Sequence, residues 1–452
     1  MAQQVAFIFV FLFSVLFAAK QYRRLYRKIH FGKDEVITGD EGKRWRNVLL
    51  VAFGQKKMFK NMLPAVLHFF IYAAFLITQV ELIEIIIDGF TGSHRIFADK
   101  LGWFYTFVIN FIEILSLLAF GATVVFLARR NLLKVPRFWK PEMTTWPQLD
   151  GNLILIGEIL LIVGIFCMNG ADVVLQGLDP AHYPDTGRLL ISGTIGPLIF
   201  GGIPEDWLFI IERAGWWLHF LTVLAFLNYL PISKHLHILL AFPNTFYARL
   251  SPRGEMANMP EIQAEVGSML GLSDAGEMDM SEEIPEFGAR DVFDLSWKTI
   301  MDAYSCTECG RCTVQCPANL TGKKLSPRKI MMDIRDRTEE ISAKLESGSG
   351  RYISEEKKNG ADKLTRENFD DGKSLFDYIS KEELHACTTC NACVEACPVM
   401  IDPLGPILQM RRYEILTLSE GPADWTPMFT SLENTGAVWQ MGTERGAWTK
   451  TT

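Results

Sequence analysis

The first half of the chain alternates long apolar stretches with charged segments, and the second half is mostly polar. A helix needs about 20 mostly apolar residues to cross the hydrocarbon core of a bilayer. Five stretches reach or approach this length: 4–20, 62–87, 102–128, 152–176 and 206–230. The first is the shortest, but its basic residues follow the apolar run, which favours an uncleaved anchor over a signal peptide. The pattern therefore predicts an α-helical membrane bundle of about five spans.

Basic residues are concentrated in two of the connecting loops. The segment "KQYRRLYRKIHFGK" follows the first stretch and "ARRNLLKVPRFWK" follows the third, whereas the second and fourth loops carry few Lys or Arg. Because Lys and Arg are enriched in cytoplasmic loops, the N-terminus is predicted outside and everything beyond about residue 231 in the cytoplasm. The apolar segment 189–203 is too short and too Gly-rich to cross, so we interpret it as an interfacial or re-entrant piece on the outer side.

The composition changes beyond the fifth stretch. An apolar content of 49% suits a membrane part joined to a soluble part, whereas the net charge of −7 says little about partners. No basic patch interleaved with aromatic residues stands apart from the membrane flanks, so nucleic acid is not an expected partner. The predicted organisation is a membrane domain (1–240), a linker or arm (241–295), a cysteine-rich domain (296–412) and a tail (413–452) that covers this domain or docks a partner.

Eight of the nine cysteines form two copies of the pattern C-x2-C-x2-C-x3-C-P. Three closely spaced thiolates on a tight loop reach three irons of a cubane cluster, and with this spacing the fourth cysteine ligates the other cluster. The sequence therefore predicts two [4Fe–4S] clusters in a cytoplasmic, mostly α-helical dicluster ferredoxin domain. One cluster is assigned to Cys306, Cys309, Cys312 and Cys397, and the other to Cys387, Cys390, Cys393 and Cys316.

Zinc and disulfides are the alternative interpretations of these cysteines. Structural zinc sites prefer two CxxC pairs and have no use for the triple spacing with a following proline. Disulfides are disfavoured in a cytoplasmic domain. The ninth cysteine, Cys167, lies inside an apolar stretch and is interpreted as a small core residue.

The stretches "CTECGRCTVQCPANLTGKKLSP" and "CTTCNACVEACPV" resemble the dicluster ferredoxin module of membrane-bound iron–sulfur oxidoreductases. These proteins are related to heterodisulfide reductase subunits and to quinone reductases that accept electrons from electron-transfer flavoprotein. The runs "DVFDLSWKTIMDAYSCTECGRC" and "IDPLGPILQMRR" fit the same group. The resemblance implies a membrane part similar to the cytochrome b subunit of respiratory nitrate reductase, with five spans, an outside N-terminus and haem held by histidines on the second and fifth spans.

The chain departs from this group in one respect. Many single-chain relatives continue into a C-terminal domain with CCG motifs, whereas this sequence contains no CCG and stops shortly after the second cysteine motif. The missing part is expected to be a separate cytoplasmic redox subunit, either a CCG-motif iron–sulfur protein or a flavoprotein.

Two histidines lie in apolar surroundings within the spans that the resemblance singles out. They are His68 in the second span and His219 in the fifth. Ionisable residues inside a membrane are expected to be functional. We interpret the pair as axial ligands of haem b; the alternative is that each only hydrogen-bonds a neighbouring helix.

A second haem would need further ligands. His237 lies five helical turns beyond His219 and would share its face on an unbroken helix, unless Pro231 disturbs the phase. His235 is the alternative to His237, although both could simply sit at the lipid–water boundary. The partner ligand would lie near the start of the second span, where Met58 is the one substitute for a histidine.

Several carboxylates also fall within or near the spans. Glu113 and Glu158 either relay protons to a quinone or are neutral and structurally paired. Residues near the outer ends are expected at the interface with an ion pair: Glu81, Glu84, and Glu212 with Arg213. The remaining histidines carry no motif and are expected at the surface: His30, His94, His182 and His385.

The expected function is that of an oxidoreductase subunit in the bacterial inner membrane. It would pass electrons between a cytoplasmic subunit and the quinone pool through two clusters and haem b, in a direction that the sequence leaves open. One alternative is a haem-free, membrane-anchored ferredoxin of an ion-pumping complex. Another is an assembly protein for cytochrome oxidase, which would be expected to carry a metal-binding cysteine motif within the membrane, where Cys167 stands alone.

Overall fold

A computed structural model describes the protein over residues 1–272, 286–354, 363–439 and 446–450. The regular elements of these residues are helices, and extended pairing is limited to two isolated bridges, Lys33 with Ser296 and Ile353 with Phe369. Part of the predicted linker (273–285) and part of the predicted tail (440–445 and 451–452) lie outside the described residues.

Five helices are long and apolar enough to cross a membrane, as the hydropathy pattern predicts. The second of them consists of two helices that meet at Thr78, and the fifth continues to Ile232. In chain order the helices of this half are α1 (Ala2–Ile29), α2 (Glu41–Asn47), α3 (Met62–Ile77), α4 (Gln79–Thr91), α5 (Ala98–Leu101), α6 (Trp103–Asn131), α7 (Trp146–Leu178), α8 (Ser192–Phe200), α9 (Glu205–Tyr229) and α10 (His237–Phe246), with a π-helix (Val48–Phe53) after α2.

The first span is longer than the sequence pattern predicted. The basic segment after residue 20 continues as helix to Ile29, because Lys and Arg are good helix formers and favour the C-terminal turn, where Arg27 and Lys28 lie. Large apolar side chains such as Phe9 and Phe13 on α1 and Trp103 on α6 remain exposed. Such an apolar surface suits lipid surroundings.

Helices α7 and α9 pack with their backbones in contact. A Cβ on Gly164 would lie 2.9 Å from the backbone nitrogen of His219, and a Cβ on Gly215 would lie 2.6 Å from that of Met168. Small residues at such positions allow membrane helices to approach closely. Glycine at these two positions therefore fixes His219 against α7.

The apolar segment 189–203 forms the short helix α8 against α7. A Cβ on Gly196 would lie 2.5 Å from the carbonyl oxygen of Gly170, so these two backbones also touch. With nine residues α8 is about 14 Å long, less than half of the hydrocarbon core, and as predicted it is too short to cross.

The chain is interrupted after the fifth span. Helix α9 ends at Tyr229, and two 3₁₀ turns, Leu230–Ile232 and Lys234–Leu236, separate it from α10. Pro231 lies in the first turn and cannot continue the ladder of helical hydrogen bonds. His219 and His237 therefore do not share one face of an unbroken helix.

The second half is a helical domain with the cysteines in its core. Its helices are α11 (Pro260–Met269), α12 (Trp297–Tyr304), α13 (Arg311–Gln315), α14 (Pro317–Leu320), α15 (Pro327–Ser347), α16 (Lys381–His385), α17 (Ala392–Ala396), α18 (Leu404–Arg412) and α19 (Trp425–Thr435). The buried core joins Ile334 and Ile341 of α15 to Met410 of α18, and it includes Cys306 and Cys397.

The two halves share a hydrophobic contact. Leu25 and Ile29 of α1 pack with Leu236 and with Ile300 and Tyr304 of α12 in one buried cluster. The second half consequently lies against the end of the bundle at which α1 ends and α10 begins. The two basic loops, after the first and third spans, also contact it at this end.

Candidate iron–sulfur and haem sites

The two cysteine motifs adopt the same local backbone. In the first loop Glu308 and Gly310 have φ of 53° and 72°, and in the second loop Thr389 and Asn391 have φ of 55° and 60°. These paired left-handed residues turn the chain tightly between successive cysteines. Each loop then enters a five-residue helix, α13 or α17, which ends at a Cys-Pro pair.

The first loop and the end of the second loop enclose one cavity. Its walls include the four cysteines of the first predicted set: Cys306, Cys309, Cys312 and Cys397. All four are free thiols, and apolar groups such as Met331 and Ile401 complete the walls. Within the described residues, no group of three or more Cys, His, Asp or Glu side chains is close enough together to hold a single metal ion. Four thiols around one largely apolar cavity fit the donor set of a [4Fe–4S] cluster.

The second predicted set is also brought together. Helices α13 and α17 pack against each other. Cys316, at the end of α13, consequently lies within electrostatic range of Cys387 and Cys393. Cys390 is exposed at the rim, and all members are free thiols. The packing of the two short helices therefore places each fourth cysteine beside the other motif.

Burial keeps the bare thiols neutral. It raises the pKa of Cys306, Cys393 and Cys397 to about 12. Backbone amides act in the opposite direction, since Ile401 N–H donates to Cys397 Sγ at 3.3 Å and Thr389 N–H donates to Cys387 Sγ at 3.4 Å. The loops therefore offer hydrogen bonds to sulfur, and the positive charges of Arg335 near Cys306 and Arg411 near Cys387 also act to lower the pKa of these thiols.

Glu308, which the sequence reasoning missed, ties the first loop to the membrane half. Its carboxylate accepts hydrogen bonds from Lys234, directly after the last span, and from Arg335 of α15 at 2.8 Å. Burial alone would raise the pKa of Glu308, but Lys234 and Arg335 lower it below its usual range. The sequence feature that could have pointed to Glu308 is its charge, which is unusual between two cysteines of a buried loop.

A second buried contact joins the same loop to the segment after the third span. Arg328 of α15 donates to the carbonyl oxygen of Arg137 and to Glu142 Oε1, both at 2.7 Å. Arg311, on the first loop itself, donates to the carbonyl oxygen of Lys57 at 3.3 Å. The first cysteine loop thus contacts the segments that follow the first, third and fifth spans.

Of the histidines proposed for haem, His68 lies beside His237, and its pairing with His219 stays a prediction. The His68 ring lies 6.5 Å from the His237 ring between centroids, and no described contact joins His68 to His219. Nδ1 of His68 faces Gln55 Oε1 at 3.1 Å. Nδ1 of His237 faces the carbonyl oxygen of Lys234 at 3.0 Å, and Nδ1 of His219 faces that of Leu161 at 3.1 Å. An acceptor at Nδ1 leaves Nε2 available to a metal in all three.

His235 and Glu158 complete this histidine group. The His235 ring lies 5.8 Å from the His237 ring, and its Nε2 lies 4.0 Å from a carboxylate oxygen of Glu158. Its Nδ1 is buried without a hydrogen-bond partner. Met58, the substitute ligand considered from sequence, lies in a 3₁₀ turn before α3. Glu158 is thus the intramembrane carboxylate that lies beside the histidines.

Glu113 is hydrogen-bonded to groups on neighbouring segments of the bundle. Its Oε2 accepts hydrogen bonds from the backbone N–H groups of Ile191 and Ser192 at 3.1 Å, and its Oε1 accepts one from Asn169 at 3.4 Å. A carboxylate in this position satisfies free amides at the start of α8 and complements its dipole. Of the two interpretations of Glu113, this geometry favours structural pairing.

The carboxylates at the other end of the bundle are buried within the protein and form the expected ion pairs, while their position at the membrane interface stays a prediction. Glu81 and Glu84 are 1% and 2% exposed, and both approach Arg95, at 3.4 and 3.9 Å. The expected pair of Glu212 with Arg213 is present. A buried carboxylate inside an apolar bundle needs a positively charged partner, and Arg95 is that partner. Arg95 lies in a loop, whose position in the fold cannot be predicted from hydrophobic periodicity.

The four remaining histidines divide into two kinds. His30 and His182 are exposed, as expected. The expectation of a surface position is wrong for His94, whose Nε2 bonds to the buried Asp172 at 2.9 Å, and for His385, whose Nε2 bonds to the buried Glu414 at 2.8 Å. In both cases a buried carboxylate holds the imidazole away from solvent.

Comparison with known proteins agrees with the site. Residues 305–401 match the family model of the 4Fe–4S dicluster domain. The chain is therefore a mostly helical protein that combines five membrane-type helices with a 4Fe–4S dicluster domain, and its homologues are iron–sulfur oxidoreductases. The apolar helices and the similarity to a membrane-anchored ferredoxin indicate a membrane protein.

Three curated relatives define the similarity. The chain is 27% identical to the probable iron-sulfur-binding oxidoreductase FadF of Bacillus subtilis (strain 168), over 99% of this chain and 61% of that protein. It is 25% identical to the EtfAB:quinone oxidoreductase of Syntrophomonas wolfei subsp. wolfei, over 91% and 54%. It is 33% identical to a probable membrane-anchored ferredoxin of Chromohalobacter salexigens, over 32% and 21%. The chain thus spans about three fifths or less of each relative, and no solved structure matches it.

Proposed function

We propose that the protein carries electrons between a cytoplasmic redox partner and quinone in the bacterial inner membrane. The observation that carries this proposal is a continuous connection between the cysteine loops and the histidine group. Glu308 of the first loop bonds to the side chain of Lys234, and the backbone carbonyl of Lys234 faces Nδ1 of His237. Electron transfer itself agrees with the dicluster domain and with the oxidoreductase relatives.

The clusters and haem b would supply the one-electron chemistry when bound. Cys306, Cys309, Cys312 and Cys397 would hold one cluster, and Cys387, Cys390, Cys393 and Cys316 the other. His68 and His219 are the proposed axial ligands of one haem b, and we propose that the bundle resembles the cytochrome b subunit of respiratory nitrate reductase. His237, beside His68, is the alternative ligand or the ligand of a second haem.

The protein residues hold and shield these sites. Lys234 and Arg335 fix Glu308 and with it the first loop, and the walls of the cysteine cavity exclude water. Glu158, beside His235, is the proposed group that exchanges a proton with quinone. Because the cysteine domain lies at the end of the bundle with the basic loops, the positive-inside rule makes this end cytoplasmic.

The proposals of a redox partner and of quinone as a substrate are inferred from the relatives. The name of the Syntrophomonas wolfei protein joins electron-transfer flavoprotein to quinone, and that protein is longer than this chain. We propose that a separate cytoplasmic subunit, a flavoprotein or a CCG-motif iron–sulfur protein, delivers or collects the electrons.

The test is the optical spectrum of the purified full chain, oxidised and dithionite-reduced, with iron and acid-labile sulfide analysis. Soret and alpha bands of haem b with about eight cluster irons would support the proposal. His68→Ala should remove these bands, and the matched changes His219→Ala and His237→Ala should identify the opposite ligand. A spectrum with about eight irons and no haem bands would contradict the haem assignment.

Such a haem-free spectrum would favour the second candidate, a membrane-anchored ferredoxin. The similarity to the Chromohalobacter salexigens protein supports this candidate over 147 aligned residues.

A further inference from the structure

A cavity of about 350 Å³ lies between the membrane half and the cysteine domain. Its walls come from three directions: the segment before the second span, the segment after the third span, and the two cysteine motifs. The charged groups that line it are Lys57, Lys60, Arg137, Arg311 and Glu395. We call it the interface pocket.

The positive charges of the interface pocket are not balanced. Glu395 is its one acidic wall residue, and this carboxylate already pairs with Lys60 and with Arg253. Lys57 and Arg311 have no carboxylate partner within the described residues, and their side chains donate only to backbone carbonyl groups. The four cations in the walls of the pocket therefore outnumber the single carboxylate there.

The guanidinium groups are the least compensated. Arg311 is 8% exposed, and Arg137 Nε is buried with no hydrogen-bond partner among the residues that the structure describes. Buried polar groups normally have partners, so a guanidinium nitrogen left without one beside a cavity points to a missing acceptor.

The position of the pocket suggests the source of that acceptor. Lys57 and Lys60 lie just before Met62, where the second span begins. Phe59, Met62 and Leu63 are exposed beside them and would meet acyl chains if lipid surrounds the span. Basic pockets at the membrane boundary are suited to anionic lipid head groups, and guanidinium groups suit phosphate oxygens.

We propose that the interface pocket binds a phosphate group, carried by an anionic phospholipid, between Lys57, Arg137 and Arg311. The bound phosphate neutralises cations from both halves of the protein and thereby holds the cysteine domain on the bundle. The same chemistry could be supplied by free inorganic phosphate, which the experiment separates from lipid. The site does not depend on haem, on quinone or on the direction of electron transfer.

The test uses the full chain, delipidated in a neutral detergent, and measures retained lipid by native mass spectrometry. The probes are phosphatidylglycerol, phosphatidylcholine and inorganic phosphate, each added alone. Wild type should retain phosphatidylglycerol in preference to phosphatidylcholine. The double change Lys57→Gln with Arg137→Gln should weaken this retention about 30-fold, since two cations near the lipid phosphate are lost.

A matched control keeps the same loss of charge at another site. Lys20 and Arg23 form a separate basic patch with Arg24 and Arg27 at the end of α1. The double change Lys20→Gln with Arg23→Gln should lower phosphatidylglycerol retention far less than the pocket change, because these two side chains are exposed. The charge-keeping change Lys57→Arg with Arg137→Lys should retain the lipid and excludes misfolding as the cause of a loss.

The outcomes are distinct. Retention of inorganic phosphate that disappears in the Lys57→Gln, Arg137→Gln variant, without preference for phosphatidylglycerol, would support the phosphate site and reject lipid as its source. Equal retention of the two lipids, or equal losses in the pocket and control variants, would overturn the proposal.

Discussion

The two cysteine loops have the same backbone but different surroundings. The first loop is joined to the membrane half by deeply buried groups: Glu308, with Lys234, is 2% exposed at its side chain, and Arg328, with Glu142, is 1% exposed. The ion pairs of the second loop are exposed, since Lys60 and Arg253, the partners of Glu395, are 53% and 66% exposed. Its buried contact is a neutral hydrogen bond, from the side chain of Asn244 in α10 to the carbonyl oxygen of Val399 at 2.9 Å. The repeated pattern thus specifies cluster binding, while the residues between the cysteines decide which loop forms buried ion pairs with the membrane half.

One position shows how this difference is built. A Cβ on Gly310 would lie 2.7 Å from Arg328 Nη1, so glycine allows the guanidinium group to approach the first loop. Asn391 occupies the equivalent position of the second loop with a similar φ. Cys390 next to it is exposed, whereas Cys309 at the equivalent position of the first loop is only partly exposed. The second loop therefore has the more direct route to a soluble partner.

The largest effect is expected when the exchange of fourth cysteines is broken. Cys316→Ser should remove the cluster of the second motif and leave that of the first, halving the iron from about eight to about four per chain. EPR of the reduced protein with iron analysis measures both. Cys167→Ser, outside both motifs, should change neither. Loss of the first motif's cluster alone would contradict the crossed assignment.

The next effect concerns the buried attachment of the first loop. Lys234→Met removes the cation between Glu308 and Asp150 and leaves both carboxylates buried. Breaking a buried pair in this way should cost about 3 kcal/mol, measured as a lowered thermal midpoint of the purified protein. Lys324→Met is the matched control, because its pair with Glu382 is exposed and screened by solvent, so its loss should lower the thermal midpoint far less. Equal losses in the two variants would remove the distinction between the loops.

A smaller effect is expected from pH. The lowered pKa of Glu308 means that its pairing stabilises the folded protein above the usual carboxyl pKa of 4.5 and that this contribution is lost as the pH falls towards the folded value. Limited proteolysis between the halves should therefore accelerate below pH 4.5. Glu308→Gln should already be sensitive at pH 7 and should depend less on pH. An unchanged pH profile in this variant would show that Glu308 does not control the attachment.

The local patterns in the sequence predicted one part of the protein well. The five spans could be predicted because each needs a long apolar run, and the two dicluster motifs could be predicted because the cysteines within each motif are closely spaced. The exchange of the fourth cysteines stays a prediction. The contacts between segments far apart in the sequence could not be predicted. Lys234 and Glu308 are 74 positions apart, and Arg95 reaches Glu81 and Asp172 from a loop. Periodicity carries no information about such pairs.

The histidine group shows the same limit inside the membrane half. The sequence pattern singled out His68 as a haem ligand, which stays a prediction. Its proximity to His237 could not be predicted, because it depends on the turn at Pro231 that separates His237 from α9. A sequence pattern indicates that Pro disturbs a helix but not where the chain goes next. The proximity of His235 to Glu158 follows from the same turn and was equally hidden.

The smallest effect is expected at the exposed attachment of the second loop. Lys60→Gln removes one partner of Glu395, while Arg253 and the bond from Lys57 to the carbonyl oxygen of Val394 remain. An exposed pair contributes less than about 1 kcal/mol and is screened by salt, so the thermal midpoint should fall slightly at low ionic strength and not at 1 M salt, where the screening length is about 3 Å. The loss in Lys234→Met should persist at both salt concentrations because its partners are buried. A salt-resistant loss in Lys60→Gln as large as that in Lys234→Met would mean that both loops are fixed to the membrane half equally.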